Sequence, residues 1–420
     1  MIKERLIYSI GLWLLLPYVI FHLLWRARKQ PEYLEHIAER FGFYAVRGNK
    51  PIIWLHTVSV GETRAAASLV KRLREHYPDH QLLLTHTTPT GRVAGEQLYE
   101  DEVLRVYLPY DYPFAVKRFL NHFRPQLGVL LETEIWFNLI HACHAKKIPL
   151  LLLNARLSEK SAKRYARYPN LVKSGLSELH AIAAQTAADA ERLTALGGAN
   201  VSVMGNLKYD IEPPEAILRL GQKMRSQFGS DRKIFLAAST REGEETLLLD
   251  RLGLLKIPGL LSVIVPRHPQ RFQQVEDMLV QRGFSFQRRS ANQLIAPEIQ
   301  VVLGDSMGEM FAYYAACDIA FIGGSLLPFG GQNLIEACAV GKPVVIGPHT
   351  YNFAQASELA VASGAAFRVQ DTVELVQKME NLLADPEQLT AMGNAGLSFV
   401  SANRGATERA LTCIINSILK

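Results

Sequence analysis

The stretch from Gly323 to Thr350 constrains the fold of this chain more than any other segment. Asp318–Ile322, just before it, has the length and apolar character of a buried strand, and a glycine-rich loop follows. Asn333–Val340 then has helical spacing of its apolar residues and ends at Gly341, and Lys342–Ile346 has the pattern of a further strand. A strand, a loop, a helix and a second strand in this order indicate a parallel α/β sheet.

The same alternation runs through most of the 420 residues and restarts once, after Pro213 and Pro214, where we place a linker. The chain is too long for one ordinary core. The sequence therefore predicts two doubly wound, Rossmann-like α/β domains, over residues 29–212 and 213–420, that face a cleft across the carboxyl ends of their strands. The predicted strands are Pro51–His56, Gln81–Thr85, Val103–Leu108, Gln126–Leu131, Pro149–Asn154, His180–Ala184 and Val201–Met204, then Lys233–Ser239, Leu260–Val265, Ile299–Leu303, Asp318–Ile322 and Lys342–Ile346.

Residues 1–28 are predicted to form a hydrophobic membrane anchor. Leu6–Trp25 contains no Asp, Glu, Lys or Arg and is about long enough to cross a bilayer. Three basic residues follow it at once, namely Arg26, Arg28 and Lys29. This positive flank predicts that the rest of the chain lies on the cytoplasmic side, and the length of the run argues against a cleaved signal peptide. Pro17 and His22 leave two arrangements open, a helix that spans the bilayer and a helix that lies in one leaflet.

Net charge and cysteine spacing indicate which kinds of ligand and which cellular compartment suit this chain. A formal net charge of +6 and a pI of about 9.0 suit anionic lipid headgroups or phosphorylated substrates. No basic stripe carries interleaved aromatic residues, so nucleic acid is not a predicted partner. The four cysteines lie among apolar residues, which indicates buried thiols in a reducing compartment. His141, Cys143 and His144 lack a supporting pattern of acidic residues, so we interpret them as surface residues of a helix and predict no metal site.

Three polar positions follow strands of the first predicted domain. Glu62 stands at the start of a helix, where the helix dipole lowers the pKa of a carboxylate, and it is either a general base or an ordinary capping acid. Glu132, with Glu134 close behind it, follows a buried strand and either enters the active site or is solvent-exposed or paired with Arg156. Lys208 follows the last strand of the domain, where it is able to reach an anionic group.

The loops after the strands of the second domain repeat one arrangement. Each joins a strand end to a helix start, which predicts a phosphate-binding rim of backbone N–H groups and arginine. The rim residues that this pattern indicates are Ser239, Arg241, Arg267, His268, Gly324, Ser325 and Glu336. Glu336, on the first turn of its helix, is placed to accept hydrogen bonds from ribose hydroxyls. The sequence contains no GxGxxG or GxxxxGK[ST] motif, so neither a dinucleotide nor a Walker-type triphosphate site is predicted.

Eight motifs in fixed order carry a resemblance to a known family: HTVSVGE, ETEIWFN, NARLSEKS, GNLKYD, STREGEE, VPRHP, GDSMGEM and GGQNLIEA. The chain resembles the bacterial 3-deoxy-D-manno-octulosonic acid (Kdo) transferases of lipopolysaccharide synthesis, from the anchor to the last helices. The resemblance implies a GT-B glycosyltransferase on the cytoplasmic side of the inner membrane. It implies CMP-Kdo as donor, the tetraacyldisaccharide 4′-phosphate lipid A precursor (lipid IVA) as acceptor, inversion at the anomeric carbon, and no metal or other cofactor.

The resemblance also implies roles for individual residues. Glu62 matches the catalytic base, and Glu132 and Lys208 match positions that support the transition state. Contacts with CMP match Pro266, Arg267, Met307, Gly308, Glu309, Asn333, Leu334, Ile335 and Glu336. Two positions depart from the family pattern: Phe137 stands where proline is frequent, and Arg241 where histidine is expected. Two other classes stay open, a different GT-B enzyme such as a nucleotide-sugar epimerase and a membrane-tethered protein that holds a nucleotide sugar without turnover.

Overall fold

The computed structural model describes residues 2–28, 30–255 and 257–418. The chain divides into two compact units. The first contains Met1–Asp210 and Arg404–Lys420, and the second contains Ile211–Asn403. Each unit is built on a parallel sheet, which confirms the α/β class predicted from the sequence.

Seven strands form the sheet of the first unit: β1 (Ile52–His56), β2 (Gln81–His86), β3 (Leu104–Tyr107), β4 (Leu127–Leu131), β5 (Leu150–Ala155), β6 (Ala181–Ala184) and β7 (Val201–Val203). They run parallel in the order β3-β2-β1-β4-β5-β6-β7. Trp54 packs into one hydrophobic core, whereas its neighbours Ile53 and Leu55 pack into another. Because side chains alternate across a strand, both faces of the sheet are buried, which explains the nearly continuous apolar runs in the sequence.

The sheet of the second unit also has seven parallel strands: β8 (Lys233–Thr240), β9 (Leu260–Pro266), β10 (Phe286–Arg288), β11 (Val301–Leu303), β12 (Ile319–Ile322), β13 (Val344–Ile346) and β14 (Ala366–Arg368). Their order is β10-β11-β9-β8-β12-β13-β14. The sequence predicted the five central strands and missed β10 and β14. These two edge strands are three residues long and mostly half-buried, so neither shows the apolar run that marks a central strand.

The helices of the first unit that precede the linker are α1 (Ile2–Ala27), α2 (Val60–Ala65), α3 (Ala67–His76), α4 (Pro89–Tyr99), α5 (Pro113–Phe123), α6 (Phe137–Ala145), α7 (Glu159–Tyr165), α8 (Pro169–Ser177) and α9 (Ala187–Ala195). The second unit contains α10 (Glu215–Phe228), α11 (Glu244–Leu252), α12 (Phe272–Gln281), α13 (Met310–Ala316), α14 (Ile335–Ala339), α15 (Ala354–Ala362), α16 (Thr372–Ala384) and α17 (Pro386–Asn403). Among the described residues, α1 is the one helix long and apolar enough to cross a membrane, over Lys3–Ala27.

The last helix, α18 (Ala406–Ile418), returns to the first unit, whereas the sequence assigned residues 213–420 to one domain. Ala410 and Ile414 of this helix pack into the same core as strand residues of the first unit. The carboxylate of Asp210 accepts hydrogen bonds from the backbone N–H groups of Gly405, at 2.7 Å, and of Thr407. The amphipathic pattern of a helix shows that one face is buried but not which sheet covers it, so this placement could not be predicted from the sequence.

Candidate active site

The strand order places the first group of predicted residues at one point of the first sheet. β1 has β2 on one side and β4 on the other. Successive strands are therefore added in one direction from β1 to β3 and in the opposite direction from β4 onward, and the strand order reverses between β1 and β4. Ligands of open α/β sheets bind at such a switch point, beyond the carboxyl ends of the strands. Glu62 follows β1, and Glu132 and Glu134 follow β4, so these carboxylates come from the two strands that flank the switch point.

Glu62 is a helix-capping acid. Ser59 is the N-cap of α2, and its Oγ accepts a hydrogen bond from the Glu62 N–H at 3.4 Å. The Glu62 carboxylate in turn accepts hydrogen bonds from the Val58 N–H at 2.8 Å and from the Ser59 Oγ–H at 3.1 Å. This reciprocal arrangement is a variant of the capping box, in which the glutamate bonds to the N–H of the residue before the N-cap. The structure thus shows that Glu62 caps α2, and these hydrogen bonds hold its half-buried carboxylate in one orientation beside the switch point.

The pKa of Glu62 departs from the value expected for a capping acid. Burial of the carboxyl group raises its pKa to about 7, and the nearby negative charges of Glu132 and Glu134 add to this effect against the two hydrogen bonds that lower it. The prediction of a lowered pKa was therefore wrong, because it considered only the helix dipole. A carboxylate with a pKa near neutrality is a better proton acceptor than one with an ordinary pKa.

Glu132 is paired with Lys208 and not with Arg156. Its Oε1 lies 3.2 Å from the Lys208 Nζ, and both side chains are largely shielded from solvent. Arg156 contacts this loop through its backbone, since its carbonyl oxygen accepts a hydrogen bond from the Thr133 hydroxyl at 2.8 Å. Glu132 has a φ of 61°, which a non-glycine residue adopts only when its surroundings compensate for the strain. The end of β4 is thus a specially shaped loop that presents a carboxylate.

Side-chain amides fix the loop that carries Lys208. The Asn154 Oδ1, at the end of β5, accepts a hydrogen bond from the Leu207 N–H at 3.1 Å. The Gln185 Nε2 donates to the Asn154 carbonyl oxygen at 3.0 Å, and the Asn206 Nδ2 donates to the Gln185 Oε1 at 3.1 Å. Sequence reasoning missed Asn154 and Gln185. The available signal was their position at the ends of buried strands, Asn154 within β5 and Gln185 directly after β6, where a polar residue needs a partner.

Glu134 is held by two ring systems. The Trp136 Nε1–H donates a hydrogen bond to its Oε2 at 2.7 Å, and the Nε2 of His56 lies 3.8 Å from the same oxygen. His56 is fully buried at the end of β1, and its Nδ1 lies 2.9 Å from the Thr85 Oγ1. Its Nε2 has no hydrogen-bond partner among the residues that the structure describes. The first site therefore combines three carboxylates, one ammonium group and one buried imidazole.

The second predicted group lies at the corresponding switch point of the second sheet, where β8 has β9 and β12 as its neighbours. The end of β8 and the loop after β12 touch closely: a Cβ added at Gly323 would lie 2.5 Å from the Ser239 carbonyl oxygen, so only glycine fits there. Ser239 has a φ of 56°, and Gly324 a φ of 70°.

A buried carboxylate joins these two loops. Glu244, at the first position of α11, is fully buried and accepts hydrogen bonds from the N–H groups of Arg241 at 2.9 Å, Gly324 at 2.6 Å and Leu326 at 3.0 Å. Burial raises the pKa of Glu244 in spite of these bonds. The N–H of Gly323 donates to the Ala238 carbonyl oxygen. The N–H groups of the two glycines are thus already bonded within the protein, contrary to the prediction that this loop offers them to a phosphate.

Three basic side chains stand near one another at the ends of β8 and β9. The positive charges of Arg241 and Arg267 lower the pKa of His268 further, after the larger effect of its burial. The Arg241 guanidinium lies 4.5 Å from the centre of the Phe329 ring, and the Arg267 Nε donates to the Gln332 Oε1 at 3.3 Å. Because the lowered pKa disfavours protonation of His268, the two arginines supply the positive charge of the predicted rim.

The remaining rim residues are of two kinds. Side chains that belong to the protein interior are Pro266, Ser325, Leu334 and Ile335. The Ser325 hydroxyl, for example, bonds to the Ile322 carbonyl oxygen and accepts from the Gly347 N–H at 2.8 Å, so its side chain is committed to holding the loop. Met307 is exposed, and Gly308 has a φ of 80° in the turn before α13, which begins at Met310.

Two rim carboxylates are oriented by neighbouring side chains. Glu309 accepts a hydrogen bond from the Ser306 hydroxyl at 2.5 Å and lies 3.5 Å from the Arg289 Nη2. Glu336 accepts from the Asn333 Nδ2 at 3.1 Å, and the Asn333 Oδ1 accepts from the Ile335 N–H at the start of α14. Glu336 therefore stands on the first turn of a short helix, as predicted, with its carboxylate fixed by Asn333.

The described residues contain no group of three or more His, Cys, Asp or Glu side chains that is arranged to hold a metal ion. His141 pairs with Glu178, at 3.2 Å, and His144 is exposed. Cys143 is fully buried, so its assignment to the helix surface was wrong. Cys317 and Cys338 are also buried, and burial raises the pKa of both thiols to about 12.

Comparisons with known proteins agree with this architecture. Residues 35–211 match the family model of the 3-deoxy-D-manno-octulosonic-acid transferases (kdotransferases), and residues 281–399 match that of the group 1 glycosyl transferases. The crystal structure of the UDP-GlcNAc 2-epimerase from Neisseria meningitidis is similar in fold, with a TM-score of 0.60 and 18% identity over 88% of this chain and 99% of that one. This similarity confirms the GT-B fold class and carries no argument about activity.

Two relatives are similar over nearly their whole length. The 3-deoxy-D-manno-octulosonic acid transferase of Bordetella pertussis is 40% identical over 425 residues, which cover 98% of each protein. The enzyme of the same name from Haemophilus influenzae is 39% identical over 414 residues, which cover 97% of each protein. The chain belongs to the 3-deoxy-D-manno-octulosonic acid transferase family, and it is a glycosyltransferase.

Proposed function

We propose that this protein transfers Kdo from CMP-Kdo to the tetraacyldisaccharide 4′-phosphate lipid A precursor, with inversion at the anomeric carbon, at the cytoplasmic face of the inner membrane. Family membership supports Kdo transfer. The observation that carries the mechanism is the oriented, half-buried carboxylate of Glu62, with its raised pKa, at the switch point of the first sheet. The first unit would bind the acceptor and the second unit the donor nucleotide.

In this mechanism Glu62 accepts the proton of the acceptor hydroxyl as the hydroxyl oxygen forms a bond to the anomeric carbon of Kdo. The bond between that carbon and the phosphate oxygen of CMP breaks on the opposite face, and CMP leaves with the bonding electron pair. Positive charge develops on the sugar and negative charge on the departing phosphate. Arg241 and Arg267, at the ends of β8 and β9, provide the positive charge that such a leaving group requires.

The ion pair between Lys208 and Glu132 has two roles in the proposal. Lys208 offsets the charge of Glu132, which would otherwise disfavour ionisation of Glu62 further. Its ammonium group also provides a positive charge for the carboxylate of Kdo or for the phosphate of the donor.

Replacing Lys208 with methionine is expected to lower kcat and to move the acid limb of the kcat/KM profile to higher pH. Without Lys208 the charge of Glu132 is uncompensated, so the pKa of Glu62 rises and more alkali is needed to ionise it. A pH series of initial rates measures this shift. Lys163→Met is the matched control, because Lys163 also pairs with a glutamate, Glu159 at 2.6 Å, but on an exposed helix face. An acid limb that stays in place in Lys208→Met would contradict the electrostatic link.

Replacing Glu336 with alanine is expected to raise the KM for CMP-Kdo by about tenfold, with a smaller effect on kcat, because hydrogen bonds to the ribose are lost in ground state and transition state alike. Donor saturation curves at fixed acceptor measure the change. Glu358→Ala, at an exposed position of α15, serves as the control. Unchanged donor saturation in Glu336→Ala would remove Glu336 from the nucleotide site.

The proposed function as a whole is tested by incubating the purified full-length protein with CMP-Kdo and the lipid A precursor. Mass spectrometry of the lipid product is expected to show added Kdo, and NMR its anomeric configuration, inverted relative to the donor. Release of an altered nucleotide sugar without any lipid product would favour an epimerase instead. Binding of CMP-Kdo with neither product would favour the tethered binding protein.

A further inference from the structure

The packing of α1 bears on the two arrangements that the sequence leaves open for the anchor. With 26 residues the helix is about 39 Å long, which is enough to cross a hydrocarbon core of about 30 Å. Its first half, however, makes polar contacts with the globular part of the first unit. The Tyr8 hydroxyl donates to the Asp111 Oδ2 at 2.9 Å, and the Ser9 hydroxyl donates to the Asn138 Oδ1 at 3.0 Å.

These contacts reach the buried framework of the unit. Asp111 is 3% exposed, and besides Tyr8 it accepts hydrogen bonds from the N–H groups of Asn138 at 3.0 Å and Leu139 at 2.8 Å, at the start of α6. One helical turn further along α1, the Leu12 carbonyl oxygen accepts from the Tyr112 hydroxyl at 2.9 Å. Detaching α1 would leave the Asp111 carboxylate with fewer partners in a buried place, so the contact is costly to break.

The second half of α1 packs against the segment that follows the helix. Leu23 and Ala27 are buried against Tyr33, which follows the helix, and the Arg26 guanidinium lies 4.7 Å from the centre of the Tyr33 ring. The less exposed positions recur every three to four residues, as expected for a helix with one face on a protein surface; they are Glu4, Arg5, Tyr8, Ser9, Gly11, Leu12, Leu16, Val19, His22, Leu23 and Ala27.

A membrane-spanning orientation conflicts with this packing. The part of α1 beyond Leu12 is about 22 Å long, which is shorter than the hydrocarbon core. A longer span would draw the polar loops around Asp111 and Asn138 into the hydrocarbon, where backbone groups find no partners.

The outward face of α1 is a continuous apolar surface. Its exposed large residues are Leu6, Ile7, Ile10, Trp13, Leu14, Leu15, Tyr18, Ile20, Phe21, Leu24 and Trp25. The surface continues beyond the helix to Phe114, whose ring centre lies 5.5 Å from that of Trp13. The Arg118 guanidinium then lies 5.1 Å from the Phe114 ring centre and 4.1 Å from that of the exposed Phe43. Aromatic rings beside exposed arginine are typical of the interface between acyl chains and anionic headgroups.

We propose that α1 lies flat in one leaflet of an anionic bilayer, with its outward face in the acyl chains and with both of its ends on the side of the first unit. This inference deepens the membrane attachment in the proposed function. An anchor helix that lies in one leaflet keeps the first unit at the depth of the headgroups, where the sugar of a membrane-bound lipid acceptor is found.

The test uses the full chain with Lys3→Cys and Arg28→Cys together, in a Cys413→Ala background, reconstituted into sealed vesicles of phosphatidylethanolamine and phosphatidylglycerol. Both introduced cysteines replace exposed residues at opposite ends of α1, and the other three natural cysteines are buried. After treatment with a membrane-impermeant maleimide, mass spectrometry counts the labels on each molecule. The flat arrangement predicts molecules with two labels or none, whatever the orientation of the protein in the vesicles.

Molecules with a single label, and a second label only after detergent is added, would overturn the flat arrangement in favour of a spanning helix. Failure of the unmodified protein to float with the vesicles would overturn membrane attachment itself. Neither result depends on transfer activity, which the lipid product assay measures separately.

Leu14→Asp with Phe21→Asp, on the outward face, is expected to reduce flotation at least tenfold, whereas the exposed Glu96→Lys on α4 should leave it unchanged. Flotation unaffected by the double substitution would also contradict the proposal.

Discussion

Replacing Glu62 with glutamine is expected to lower kcat for Kdo transfer by about 10²–10⁴-fold, the usual contribution of a positioned general base. Glutamine is similar in size and retains an oxygen that accepts the Val58 N–H, so the capping box persists in part and the fold should be maintained. CMP binding should be unchanged, because the residues proposed to contact CMP lie in the second unit. Single-turnover rates and CMP titrations measure the two effects separately.

The control for this variant is Glu159→Gln, since Glu159 is also an acid in the first turn of a helix whose N-cap is a serine, but it is exposed. It should retain full activity. Near-normal turnover by Glu62→Gln would assign the proton transfer to another group. If the variant is inactive because most of it is unfolded at the assay temperature, the role of Glu62 would be limited to capping α2.

Replacing Glu244 with alanine is expected to lower the free energy of unfolding of the second unit by about 3–5 kcal/mol, because three backbone N–H groups in a buried place lose their acceptor at once. The loops after β8 and β12 should then separate, and CMP binding should weaken with them. Chemical denaturation followed by circular dichroism, together with CMP titration of the folded fraction, measures both consequences.

Glu242→Ala is the matched control, since Glu242 lies two residues earlier in the same turn with half of its side chain exposed. It should change the free energy of unfolding by less than about 1 kcal/mol. A Glu244→Ala protein as stable as the wild type would show that the two loops are held together by other contacts.

The fold could be predicted from the sequence wherever periodicity reports burial. The five inner strands of the first sheet (β1, β2, β4, β5 and β6) and the five central strands of the second are mostly buried, largely apolar runs, because both faces of these sheets are covered. The edge strands β10 and β14 have no such run, and the return of α18 to the first unit depends on tertiary packing that no local pattern encodes.

The site could be predicted only in part, for the same physical reason. Motifs located Glu62, Glu132 and Lys208, but the pairing of Lys208 with Glu132 depends on the order of the strands. The pKa of Glu62 was predicted in the wrong direction, because burial is a property of the folded protein and outweighs the helix dipole. From the sequence alone, Glu244 resembles an ordinary acidic residue in the first turn of a helix. Its role depends on its hydrogen bonds to the loop after β12, which only the structure shows.

The dependence of kcat/KM on pH tests the central claim most directly, since Glu62 must be ionised to accept a proton. With a pKa of about 7, the ionised fraction falls as the pH drops through 7. The proposed mechanism predicts that kcat/KM decreases tenfold per pH unit below an apparent pKa near 7, and that this limb is absent from the residual activity of Glu62→Gln. A wild-type profile that stays flat from pH 8 to about pH 5, or the same limb in the variant, would contradict Glu62 as the proton acceptor.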